Sequence, residues 1–80
     1  MKLRAEISLY PLKDEFIPLI DDFISRLNRH EGVNVWTNDM STQIFGEYDV
    51  IMKIIHEEMK TSFENYSKMI FVAKFHSPST

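Results

Sequence analysis

Cysteine does not occur in this chain. Its absence excludes disulfides, a thiolate nucleophile and a cysteine-bound zinc cluster together. Glycine is scarce, with two residues in 80, so no glycine-rich phosphate loop can be assembled. Long apolar runs are missing as well. No stretch approaches the ~20 apolar residues of a membrane span, and the opening MKLRAEISLY lacks the apolar core of a signal peptide. The expectation is a cytoplasmic protein without membrane insertion. A basic block is also lacking. Nine Lys and Arg stand against twelve Asp and Glu, for a net charge of −3, and the positive residues are scattered. A nucleic-acid binder shows a basic stripe, so no nucleic-acid partner is expected. A modest negative balance is compatible with a cationic small ligand.

What is present is ordinary globular material, 44% hydrophobic and 26% charged. A domain of this size buries only roughly 60–65% of the surface its unfolded chain exposes. Oligomerisation is a common remedy for so thin a margin.

Periodicity divides the chain into six elements. In KLRAEISLY, Leu3, Ala5, Ile7 and Leu9 share one side, and Arg4, Glu6, Ser8 and Tyr10 the other. Period two means a strand with one core face, and Pro11 is expected to end it. DEFIPLIDDFISRLNRHEG changes to a helical period, with Phe16, Ile20, Phe23, Ile24 and Leu27 on one face. Asp14 and Glu15 suit its start, Pro18 must lie in its first turn, Arg26, Arg29 and His30 enrich its last turn, and Gly32 suits the left-handed stop. VNVWTN reads as a second strand, with Val33 and Val35 inward and Asn34 and Trp36 outward. NDM is a turn. STQIFG is a third strand in which Ile44 and Thr42 face the core. EYDVIMKIIHEEMKTSFEN is a second helix with the stripe Ile51, Ile54, Ile55, Met59 and Phe63. KMIFVAKFH is a last strand, apolar on both parities.

The order β-α-β-β-α-β is the split-βαβ, ferredoxin-like pattern. The expected class is α+β: a four-stranded antiparallel sheet with both helices on one face, formed by residues 1–76, with 77–80 as a flexible tail. Strands one and three are expected in the middle, as parallel neighbours, with two and four at the edges. Each βαβ crossover should be right-handed.

That arrangement leaves one face uncovered. Arg4, Glu6, Ser8 and Tyr10 lie there beside Ser41, Gln43 and Phe45, with Trp36 joining from one edge. From the other edge come either Met69, Phe71, Ala73 and Phe75, or Ile70, Val72, Lys74 and His76. An apolar patch containing Trp36 and Phe45 marks an interface or a pocket, and a second copy of the sheet would cover it as a twofold dimer. Polar groups beneath such a cover need partners. Glu6 would pair with Arg4, Lys74 or water, or else accept hydrogen bonds from a ligand's amine. Ser8, Ser41 and Gln43 are able to orient a heteroaromatic ring, and Tyr10, Trp36 and Phe45 to stack on one; the same residues serve equally as dimer contacts or core.

Catalysis finds no support. His30 sits at a helix end, His56 lacks the second histidine of a zinc-protease helix, and His76 is near the terminus. Glu57 with Glu58, and Asp21 with Asp22, read as solvated helix surface. No catalytic residue, metal ligand or cofactor is expected.

Two blocks go beyond general physics. AEISLYPL (5–12) and TNDMSTQIFGEYD (37–49) resemble the signature segments of the YkoF-like thiamine/hydroxymethylpyrimidine-binding family, and IPLIDDFISRL and MKTSFEN fit it as well. The resemblance spans nearly the whole chain. It implies a non-enzymatic ferredoxin-like domain that binds the pyrimidine part of thiamine and associates through its sheet. The ligand role maps onto Glu6 and Ser8 in the first block and Met40, Ser41, Thr42 and Gln43 in the second. A single-repeat chain would need a homodimer or homotetramer to supply the family's arrangement. The implied role is a carrier, buffer or uptake accessory for thiamine or hydroxymethylpyrimidine. The alternative is an oligomerisation or regulatory module that takes no small molecule.

Overall fold

A computed structural model describes residues 1–12, 16–66 and 68–78, without the side chains of residues 16 and 17. The elements are β1 (Lys2–Pro11), α1 (Phe16–Asn28), β2 (Asn34–Thr37), β3 (Thr42–Glu47), α2 (Tyr48–Tyr66) and β4 (Met69–His76). They form the ferredoxin-like α+β architecture, with one sheet in the order β2-β3-β1-β4. Every neighbouring pair is antiparallel. The expected parallel pairing of the first and third strands is therefore corrected. Each βαβ crossover returns the chain in its starting direction, and the β2–β3 hairpin reverses it, so β3 must run against β1.

Alternation along β1 sets the layers. Leu3, Ala5 and Ile7 point under the helices and join Ile44, Phe23, Leu27, Ile51, Ile54 and Ile55 in one core, with Leu9, Val33, Val35 and Phe71 packed against it. Burying one such aliphatic or aromatic side chain is worth about 1.5–3 kcal/mol. Register settles the parity of β4. Lys74 pairs with Glu6, Val72 with Ser8 and Ile70 with Tyr10, so these residues and His76 share the uncovered face. Phe71 lies beneath the helices, edge-on to Phe23 at 5.3 Å and to Phe63 at 5.2 Å.

Pro11 does end β1 as expected, as its last residue opposite Met69. Other boundaries differ from the expectation. Helix α1 tightens at its end, where the amides of Arg29 and His30 donate to the carbonyls of Arg26 and Leu27, three residues back. Arg29 and His30 thus lie beyond the helix. Gly32 adopts φ 78° in the turn that enters β2, not at the helix cap. Buried Leu19 joins the covered face of α1, while Ile20 and Ile24 are half-buried toward one end of the sheet. Asp14, Glu15 and the Phe16 side chain lie outside the described residues. Of the expected tail, Ser77 and Pro78 follow β4 without regular structure, and 79–80 lie outside the description.

The helices are joined by charge as well as oil. Arg26 is buried in α1. Its Nε donates to Asp22 Oδ2 at 3.1 Å, one terminal nitrogen donates to the Glu58 carboxylate at 2.7 Å and to the Glu58 carbonyl at 2.8 Å, and the other donates to Ser62 Oγ. His30 Nε2 lies 2.7 Å from the second Glu58 oxygen. Glu58 was expected to be solvated surface, yet its side chain is only 13% exposed. A carboxylate one turn from the core becomes partly buried because the opposite helix brings a guanidinium to it. Burial pushes the Glu58 carboxyl up, but hydrogen bonds and charge from His30 and Arg26 outweigh it and hold it below its usual 4.5.

Two consequences are measurable. A Cβ at Gly46 would meet Val33 Cγ1 at 3.1 Å and Ile51 Cδ1 at 3.3 Å, so Gly46→Val should cost about 1–3 kcal/mol in urea unfolding, with Gly46→Ala costing less. The Glu58 contribution is fully present above the ordinary carboxylate value and is lost as pH falls through the lowered folded value. Glu58→Gln should therefore lower stability at neutral pH and flatten the acid side of the stability–pH curve.

Candidate functional site

Strand lengths create the site. β1 has ten residues, but β2 has four and β3 six. The β1–β3 pairing ends at Ile7 opposite Thr42, whereas β1 continues beside β4 as far as Pro11 opposite Met69. Residues 8–11 thus overhang the hairpin, with a strand on one side only. Into the vacated corner fold the hairpin turn and the side of α1. The result is a cleft of about 270 Å³ lined by Ile7, Leu9, Ile20 and Ile24 below, and by Ser8, Tyr10 and residues 37–42 around the mouth. That lies just under the ~300–1,000 Å³ of drug-sized pockets, so it suits one ring-sized group.

The turn is tied down locally. Asn38 Oδ1 accepts the amides of Met40 at 2.7 Å and Ser41 at 3.0 Å, and the Asn38 amide donates to the Ser41 carbonyl at 3.0 Å. This is the side-chain-closed turn that Asn favours. Ser8 Oγ donates across the gap to the Met40 carbonyl at 3.3 Å. Thr37 and Thr42 hydroxyls lie 3.2 Å apart at the base of the hairpin. Met40 is left 84% exposed beside the opening.

The sequence candidates separate into two groups. Ser8, Tyr10, Met40, Ser41 and Thr42 come together at the cleft. Glu6, Gln43, Trp36 and Phe45 lie on the uncovered face outside it. Glu6 and Gln43 are direct neighbours across β1 and β3, but the hollow opens further along β1. The Glu6 side chain is 38% exposed; it accepts from Ser41 Oγ at 3.1 Å and lies 3.9 Å from Lys74 Nζ. Ser41 therefore links the two groups, lining the cleft and holding the carboxylate. Arg4 donates to Gln43 Oε1 at 3.2 Å, and its guanidinium sits 5.3 Å from the Trp36 ring and 5.2 Å from the Phe45 ring. Those rings already stack on the protein's own cation.

Ile7, Leu9, Ile20, Ile24, Thr37, Asn38 and Asp39 were missed as lining residues. The signal that finds them is the mismatch between the long first segment and the short second and third. Among the described residues no group of three or more His, Asp or Glu side chains is placed to hold a metal ion, and no helix is long and apolar enough to cross a membrane.

The molecule is thus a ferredoxin-like domain with a hollow of ring size at one end of its sheet. The profile of the thiamine-binding protein family matches residues 5–78, and the chain belongs to that family. Solved structures resemble it throughout. A Streptococcus pneumoniae protein matches with TM-score 0.90 at 23% identity, over 99% of this chain and 89% of that one. A Thermotoga maritima protein, described as a candidate for thiamine biosynthesis or salvage, matches with TM-score 0.86 at 16% identity, over 98% and 85%. A Methanocaldococcus jannaschii protein matches with TM-score 0.83 at 24% identity, over 98% and 81%. At these identities the likenesses show the fold. No protein of curated function matches the sequence.

Removing the turn's internal closure tests the account of the cleft. Asn38→Ala should cost about 1–2 kcal/mol for two lost hydrogen bonds. Amide exchange should accelerate at Met40 and Ser41 and stay unchanged in α2.

Proposed function

We propose that the chain binds thiamine, or its hydroxymethylpyrimidine part, in this cleft and catalyses nothing. The observation that carries the proposal is the overhang cleft itself: a ring-sized hollow in a member of the thiamine-binding family, with an apolar floor and hydroxyls converging at its mouth. A flat pyrimidine gains from the floor of Ile7, Leu9, Ile20 and Ile24 and from Tyr10 and Met40 beside it. The Thr37–Thr42 hydroxyl pair keeps one free O–H for a ring nitrogen, and Ser8 becomes a second donor once its hydroxyl turns from the Met40 carbonyl, while Ser41 stays on Glu6. Glu6, tethered by Ser41, is the acceptor for the exocyclic amine. With roughly 18 heavy atoms at ~0.3–0.5 kcal/mol each, thiamine would reach sub-millimolar to sub-micromolar dissociation constants.

Trp36, Gln43 and Phe45 take a different role in this proposal. They belong to a sheet-face contact between copies in a homodimer or homotetramer. Exposed Tyr10, Trp36, Ile70 and Val72 on the uncovered face support it, since a row of large apolar side chains is costly to leave in water. A cytoplasmic carrier, buffer or uptake accessory needs no cofactor, and none is proposed.

Calorimetric titration with thiamine and with hydroxymethylpyrimidine, alongside sedimentation, tests both parts. Saturable heat is expected with either ligand, with Glu6→Gln weakening it about tenfold while melting stays cooperative. An oligomer that gives no heat at millimolar ligand would instead favour a pure association module.

A further inference from the structure

We infer that the cleft selects the unphosphorylated alcohol and rejects its phosphate esters, an inference that rests on the proposed thiamine site. The reason lies in the charges and donors around the mouth. Among the described lining residues the only formal charge is the Asp39 carboxylate, and none of them is Lys, Arg or His. A second carboxylate, Glu6, stands just behind Ser41. A phosphate monoester carries about −1.5 to −2 charges at neutral pH, so it meets like charge on entry.

Backbone donors among the described lining residues do not rescue it. Phosphates seat on free amides of glycine-rich loops or helix starts. The turn at the mouth presents such amides, those of Met40 and Ser41, but Asn38 Oδ1 already occupies both. Neither glycine of the chain is among the lining residues. The lysines and the arginine described on the uncovered face already have partners, with Lys2 on Glu47. Lys74 faces Glu6, and Arg4 donates to Gln43 between two aromatic rings. Arg4 is also four residues along β1 from Ser8, a separation of about 13 Å. The thiazolium of thiamine, in contrast, is a cation and gains from Asp39 and Glu6.

The consequence is an order of reactions. A phosphate ester must lose its phosphoryl group to water, as inorganic phosphate, before capture at this site, and phosphoryl transfer from a nucleoside triphosphate onto the bound alcohol would promote its release.

The test is calorimetric titration of the full chain with thiamine and with thiamine monophosphate, at low and at high salt. Thiamine is expected to bind at least tenfold more tightly than the monophosphate at low salt. Raised salt should narrow the gap, and so should Asp39→Asn, whose side chain keeps the size of the original. Equal or tighter binding of the monophosphate would overturn the inference while leaving the thiamine site standing. A gap that Asp39→Asn and salt leave unchanged would overturn the electrostatic cause. Absence of binding by both compounds would remove the thiamine site and this selectivity with it.

Discussion

The end of the β1–β3 ladder at Ile7 and Thr42 is the constraint on which the rest depends. Up to that pair, β1 is a central strand with neighbours on both sides. Beyond it, β1 keeps only β4. Backbone and side chains past that point face a corner that a longer hairpin would have filled. The protein fills part of it with a tight turn closed by Asn38 and leaves the remainder as a hollow. Hydroxyls cluster there because the turn and the overhang contribute Ser8, Ser41 and Thr42 to one rim. Apolar groups floor it because the core face of β1 continues under α1. A single difference in strand length thus sets position, size and chemistry together.

The two faces of the sheet divide the work. Beneath the helices, alternation packs an aliphatic core, and the Arg26–Glu58 clamp fixes α1 against α2 through charge-assisted bonds. That clamp holds the helix whose Ile20 and Ile24 wall the cleft. On the other face, Arg4 is spread over Trp36 and Phe45, and Glu6 is held by Ser41. These pairs pre-orient polar side chains while leaving large apolar ones in water. A face of that composition suits contact with another sheet, and the cleft at its end suits a ring.

Much of the fold was legible from period alone. Period two in KLRAEISLY and the change of period after Pro11 placed the first two elements, and the βαββαβ order followed. The direction of β3 relative to β1 was misjudged, although crossover and hairpin rules together determine it. The solvated reading of Glu58 failed because its partners, Arg26 and His30, lie on another helix, and such pairing leaves no mark in local pattern. Of the candidate residues, parity put the correct side chains on the uncovered face. Which of them adjoin a hollow depended on register, and register needs the length of the hairpin. Ile20 and Ile24 were placed in the core by their period; their half-buried state follows from the corner they border. The parity of β4 was open because both of its sides are apolar, and only its pairing with β1 settles it.

Ligand-induced amide shifts offer the most direct test of the overhang cleft as the ligand's seat. In a two-dimensional nitrogen–proton spectrum titrated with hydroxymethylpyrimidine, the account predicts the largest changes at Ser8, Leu9, Tyr10, Met40, Ser41 and Thr42. Smaller changes are expected at Ile20 and Ile24, with α2 beyond Glu58 silent. Shifts centred instead on the Arg26–Glu58 clamp, or on Trp36 and Phe45 with the hairpin turn unmoved, would contradict it.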